Sequence, residues 1–200
     1  QPDRLDDVMI ERFMLKYNDY LSVVAAPTVL GGDHEISLNA FETLLDLVRR
    51  MASFIVLDVP HQWSPWVNEV LLDANEVLVI AYPYLVNLRD AQAIFDRLME
   101  KRNVDAPTRL ILNRVGMAKR TELDPNDFKG PSSMAPTLNM PFEPNLYGMA
   151  LNNGKSIVEE NKRAKSTKLF DKLAKIVSGR VQSEKQRPGR ILPNFLRYDQ

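Results

Sequence analysis

Phe54-Ile55-Val56-Leu57-Asp58 leads four apolar residues into one carboxylate. A carboxylate at the end of a rigid buried strand has the form of a Walker B element, which sits near Mg²⁺ or its waters. An Asp closing a strand as a turn residue gives the same pattern. The expected partner is a phosphate cradle, G-x-x-x-x-G-K-[ST], whose backbone N–H groups surround the phosphates. Gly154-Lys155-Ser156 supplies its last three positions. The first Gly position falls on Met149, with Gly148 one residue out of register. The segment therefore reads as an Asn-Gly turn opening a helix. Gly31-Gly32 has no Lys-Ser after it. By direct reading, these residues contain no phosphate cradle.

Other chemistry is thinner. Asp33-His34-Glu35 offers three metal-ligand types in a row. Adjacent residues do not easily face one ion, so the stretch reads as a polar loop. G-x-S-x-G is absent, which leaves a hydrolase elbow without support. His61, Trp63 and Trp66 follow Asp58. They suit a ligand-edge loop with aromatic anchors. The simpler alternative is that the two Trp pack this loop onto the next helix.

The elements that would position these residues alternate along the chain. Leu5, Val8, Met9 and Phe13 fall at helical spacing. The apolar run 21–25 before Pro27 reads as a short buried strand. Phe41, Leu44, Leu45, Val48 and Met51 predict an amphipathic helix over 38–52, with Asn39 and Glu42 as a capping pair. A strand at 54–57 ends before Pro60. Val67, Val70, Leu71 and Ala74 suggest two helical turns. A strand at 77–81 stops before Pro83. Leu88, Ala91, Ile94, Phe95 and Leu98 form another helical stripe. Short strands follow at 109–112 and 137–140. Leu169, Phe170, Leu173, Ile176 and Val177 make a last helix, stopped by Gly179.

Strands without polar alternation are covered on both faces, and the separators are long enough for helices. The expectation is an α/β fold of three layers, a mostly parallel sheet with helices on both faces. Such sheets bind ligands at the carboxyl ends of their strands. The segments of interest are therefore 58–66, 83–87, 113–116 and 141–144.

Composition sets the outer bounds. At roughly 150 residues per domain, 200 residues hold about one domain plus a tail. Lys and Arg total 26, and so do Asp and Glu, so the basic excess of a nucleic-acid binder is missing. With 44% apolar residues the chain can bury a core. The absence of Cys excludes disulfide scaffolds, zinc ribbons and iron–sulfur sites. The longest apolar run, 77–86, is interrupted by Pro83 and falls short of the ~20 residues of a membrane span. The first residue is Gln and no signal-peptide pattern follows. We expect a cytoplasmic protein trimmed from something longer. There is no internal repeat. Residues 159–190 carry ten basic residues against four acidic ones, which reads as a solvated face and a flexible basic tail at 181–200. A weak inner-membrane contact through that tail is the alternative, with Pro193 breaking any helix.

The order of these segments resembles one family. F-I-V-L-D-V-P-H-Q-W-S-P-W at 54–66 is similar to the Walker B and switch II region of the CpaE/TadZ pilus-assembly ATPases, a divergent branch of the ParA/MinD family. Residues 77–91 resemble its next strand and helix. L-I-L-N-R-V-G-M-A-K at 110–119 resembles its L-V-L-N-R-V-G segment. Residues 140–144 and Asn152-Asn153-Gly154 are similar to its I-P-F-D-P and N-N-G segments. The likeness spans about 5–180, as a partial ATPase domain.

The resemblance implies a role in building tight-adherence (Flp-type) pili, in the cytoplasm at a cell pole. It implies ATP and Mg as ligands of the full-length protein. It implies a homodimer and other pilus secretion components as partners. Asp58 matches the acid on the magnesium side. Asn113 matches the residue that reads the adenine edge, with an amide that can donate and accept. Pro141 and Phe142 match the segment beside the base. The family's P-loop strand, its helix and a second acidic strand would precede Gln1. The fold expected here is thus a ParA/MinD-like P-loop NTPase fold lacking its P-loop strand, with its gap closed by rearrangement or by another chain. Three functions follow: a localisation factor whose nucleotide controls dimerisation, a competent ATPase whose cradle lies elsewhere, and a non-enzymatic scaffold that has lost nucleotide binding. Hydrolysis by this chain alone is not expected.

Overall fold

A computed structural model of the chain describes residues 7–25, 37–102, 106–118, 120–129 and 134–180. The chain divides into two compact units between Ala74 and Asn75.

In the first unit, α1 (Asp7–Phe13) buries Ile10, while Val8, Met9 and Phe13 remain exposed. It runs into β1 (Met14–Lys16), which pairs antiparallel with β2 (Ser22–Val24). The Asn18 side chain accepts from Tyr20 N–H at 2.8 Å and shapes the turn. The buried strand expected at 21–25 is thus one arm of a hairpin, and its residues are exposed. A two-stranded ribbon satisfies its inner hydrogen bonds but covers neither face.

α2 (Leu38–Met51) buries Phe41 and Leu47. Its N-cap is Ser37, whose hydroxyl accepts from Ala40 N–H at 3.3 Å. The expected cap, Asn39, already lies inside the first turn, where its side chain cannot take that role. α3 (Pro65–Asp73) starts on Ser64, with Pro65 in the first turn where no N–H is needed. Val67 and Val70 are its buried face. Trp66 meets Phe41 with ring centroids 4.9 Å apart, so this Trp packs helix on helix. Trp63 stays exposed.

The largest departure in this unit lies at 54–58. The expected strand is an irregular segment, and Val56 is 92% exposed. Apolar side chains alone do not make a strand. The backbone also needs a neighbour to ladder with, and none pairs with 54–58 among the described residues.

The second unit follows the expected pattern closely. β3 (Val77–Ala81), β4 (Thr108–Val115) and β5 (Pro136–Pro141) form a parallel sheet in the order β3-β4-β5. Parallel neighbours need a crossover, and α4 (Leu85–Lys101) supplies the first one. Its Ala91, Phe95 and Leu98 recur at helical spacing and are buried. Register pairs Val79 with Leu110 and Ala81 with Leu112, which places all four on one face. α4 packs against this sheet at β3 and β4.

The opposite face carries Ile111, Leu138 and Met140. α5 (Pro144–Asn152) and the single turn α6 (Ile157–Glu160) lead to α7 (Lys165–Val177). α7 lays Leu169 and Leu173 on that cluster. Helices therefore flank the sheet, as the unbroken apolar strands require. Consecutive Leu110, Ile111 and Leu112 are all buried, because β4 is central and covered on both sides. At β3 the second face is less covered: Leu78 is half-buried and Ile80 is 56% exposed. Among the described residues, the β4–β5 connection holds a 3-10 turn, Pro125–Phe128, capped by Asp124. Phe128 and Met134 from this connection are fully buried.

Leu112→Ala should cost about 2–5 kcal/mol. Ile80→Ala should cost at most about 1 kcal/mol. Urea midpoints of the two variants check this, and equal losses would contradict the two-sided cover of β4.

Candidate functional site

The carboxyl ends of β3, β4 and β5 are tied together by a break in one ladder. β4 and β5 shift register between Leu112 and Val115. Leu112 faces Asn139 and Val115 faces Pro141, so Asn113 and Arg114 together oppose Met140 alone. This is a β-bulge, a device that ends pairing and re-aims a side chain. Arg114 carries φ 54 there, a left-handed backbone rare outside glycine. For a residue with a Cβ this costs about 1–2 kcal/mol.

Several contacts hold the bulge in place. Arg114 N–H donates to Asn113 Oδ1 at 2.9 Å. The Arg114 guanidinium lies 5.0 Å from the centre of the Tyr82 ring, an attraction of about 0.5–1 kcal/mol at an exposed site. Phe142 N–H donates to Val115 O at 2.9 Å. Gly116 follows at φ 91, open to glycine alone without strain. Its N–H and that of Ala118 donate to the two oxygens of Glu122 at 2.8 and 2.6 Å. Leu123 N–H then donates to Pro83 O at 2.8 Å and fastens the loop to the end of β3.

Asn113, Pro141 and Phe142 thus lie at one sheet edge. Asn113 is half-buried and Phe142 is 39% exposed. An amide donor beside an apolar flank fits the base half of a nucleotide. Asp58 lies in the first unit, exposed, within the irregular segment. Asp33-His34-Glu35 and the tail 181–200 fall outside the described residues. Among those described, no cluster of three or more His, Asp or Glu is placed to hold a metal ion. None of their helices is long and apolar enough to cross a membrane.

Gly154-Lys155-Ser156 behaves as the turn it spells. Gly154 adopts φ 60, and Lys155 N–H donates to Ala150 O at 2.9 Å. Ser156 caps α6, with Glu159 completing a capping box by accepting from Ser156 N–H at 2.9 Å. A carboxylate already occupies this helix start, so a phosphate does not fit there.

The sequence reading assigned no role to Glu143. The N-cap of α7 is Ala164, whose methyl group offers no acceptor. Glu143, just after Phe142, accepts from Ser166 N–H at 2.9 Å and satisfies one of the helix's orphan donors. The Ser166 hydroxyl is buried and completes no hydrogen bond of normal geometry. It nevertheless faces the carboxylate and, with the backbone N–H and the Lys165 charge, holds Glu143 below the usual carboxylate range. The only clue in the sequence is an acid at a strand–helix junction, too common to single out.

A lowered folded pKa stabilises above the unfolded value and is lost as pH falls through the folded one. Glu143→Gln should therefore cost about 1 kcal/mol near neutral pH. The gap from wild type should close in acid, below the ordinary glutamate range of about 4.3. Urea titrations across pH test this, and a gap that ignores pH would contradict it.

Comparison with known proteins comes through structure. No family model matches the sequence, and no curated protein does. A ParA family ATPase from Chlorobium tepidum TLS superposes with TM-score 0.74 at 17% identity, covering 86% of this chain and 71% of that one. The MinC:MinD cell division protein complex of Aquifex aeolicus gives 0.58 at 22% identity, covering 76% of this chain and 64% of that one. MinD cell division protein from Aquifex aeolicus gives 0.57 at 22%, with 72% and 61% covered. The chain spans less than two thirds of these last two. At such identities the likeness is one of fold: the chain has the α/β fold of ParA- and MinD-type ATPases.

Proposed function

We propose that the chain belongs to a ParA/MinD-like factor for assembling and placing tight-adherence (Flp-type) pili, in which bound nucleotide controls dimerisation more than turnover. The observation that carries the nucleotide part is the bulge that gathers Asn113, Pro141 and Phe142 at the carboxyl edge of the sheet. The pilus part rests on the ordered CpaE/TadZ-like segments over 5–180. In this reading 1–180 act as one partial ATPase domain, with 181–200 as a basic tail. Asn113 meets the base, and Pro141 and Phe142 flank it. Asp58 serves the magnesium side. A bound nucleotide supplies a γ-phosphate whose presence or loss biases an interface. The partners are a second copy and other pilus secretion components, in the cytoplasm at a cell pole. The fold likeness to a MinC:MinD complex supports protein partnering.

A second reading is a scaffold that has lost nucleotide binding. One observation favours it: Ser156 caps α6 and Glu159 accepts from its N–H, so Gly154-Lys155-Ser156 is built as a turn into a helix. Equilibrium dialysis with labelled ATP, beside light scattering for mass, separates the two on the full-length gene product. Micromolar Mg-ATP binding with a doubling of mass is expected, with Asp58→Ala weakening the magnesium dependence. A nucleotide-independent dimer that binds no ATP would leave the scaffold standing and end the first reading.

A further inference from the structure

Among the described residues, Arg114 is the one residue other than glycine with a positive φ, at 54°. A bulge that passes through the left-handed region ordinarily places glycine there, since a Cβ is strained in it. The strain at 114 sits beside Asn113 and bears on where that amide points. Up to Leu112 the pleat decides direction, with Leu110 and Leu112 on one face and Ile111 on the other. Past Leu112 two residues oppose one, and the pleat no longer decides for Asn113.

Residue 114 is held at three points. Its N–H donates to Asn113 Oδ1 at 2.9 Å, and its carbonyl accepts from Met117 N–H at 3.2 Å. Its guanidinium lies 5.0 Å from the centre of the Tyr82 ring, just past the end of β3. Several holds on one residue keep a strained backbone in place. With β4 fixed on one side and the Gly116 turn on the other, φ at 114 changes sign only if the planar 113–114 peptide rotates. That rotation carries the Arg114 N–H away from Oδ1 and releases the amide. We infer, on the nucleotide reading above, that Arg114 is a positioning residue whose left-handed backbone aims Asn113 at the base. Nucleotide affinity then follows the left-handed preference of residue 114 and not its charge.

The test measures Mg-ATP binding to the full-length gene product, in competition with a fluorescent ATP analogue. Arg114→Gly and Arg114→Asn discard the charge but suit the left-handed region. Both should bind ATP at least as tightly as wild type. Arg114→Val brings a β-branched side chain, which that region tolerates least. It should weaken ATP binding by roughly tenfold, the worth of one hydrogen bond. In an Asn113→Ala background the Val substitution should weaken binding no further, a coupling that a merely structural role does not produce. Weakening of about tenfold in the Gly and Asn variants, with Arg114→Lys binding as wild type, makes the charge itself the contact and overturns the inference. That outcome stands whether or not the Val variant folds. Equal affinity of the Val variant and wild type overturns it too. Full ATP affinity in Asn113→Ala, or no nucleotide bound by wild type, ends the underlying reading and this inference with it.

Discussion

A strand covered on both faces has no water for its backbone, so it must ladder on both edges. β4 meets that condition, and the second unit follows from it. β3 and β5 exist in register because β4 needs them. α4 and α7 are where they are because Leu110 and Leu112 face one way and Ile111 the other. The crossovers must then bring each chain turn back to the same end. That end is where Asn113, Pro141 and Phe142 converge.

Legibility in the sequence tracked how local each cause was. β3 reads directly, because five apolar residues between Glu76 and a Tyr-Pro pair leave little alternative. The stripe of α4 reads equally well, since Ala91, Phe95 and Leu98 sit one turn apart. The run at 54–57 misleads for a physical reason. Its composition is that of a strand, but strand formation is settled by a neighbour, and that neighbour is not encoded in the run itself. The hairpin at 14–24 fails in the opposite direction, since its apolar residues suggested burial that a two-stranded ribbon cannot provide.

The placement of the candidate residues in the fold was legible in part. Asn113, Pro141 and Phe142 were placed at strand ends by pattern, and the ends do meet. The bulge that aims Asn113 leaves no periodicity to detect. Its trace is a Gly two residues after an Arg, visible only once Arg114 is known to be left-handed. Lys155 shows the converse problem. A three-residue match to a phosphate motif occurs beside Ser156 and Glu159, whose own spacing spells a helix cap, and the local chemistry prevails.

Glu143 joins the start of α7 to the end of β5. An isolated α7 starts at an alanine, with its first-turn donors open, and a helix of 13 residues is marginal in water. Its acceptor stands 23 positions upstream, just past the end of β5, which lies along β4. The helix thus takes its start and its apolar bed from one place, since Glu143 and the Leu138–Met140 face belong to the same strand end. The last helix is thereby tied to the sheet at its start as well as along its apolar face, so loosening the end of β5 would release both holds together.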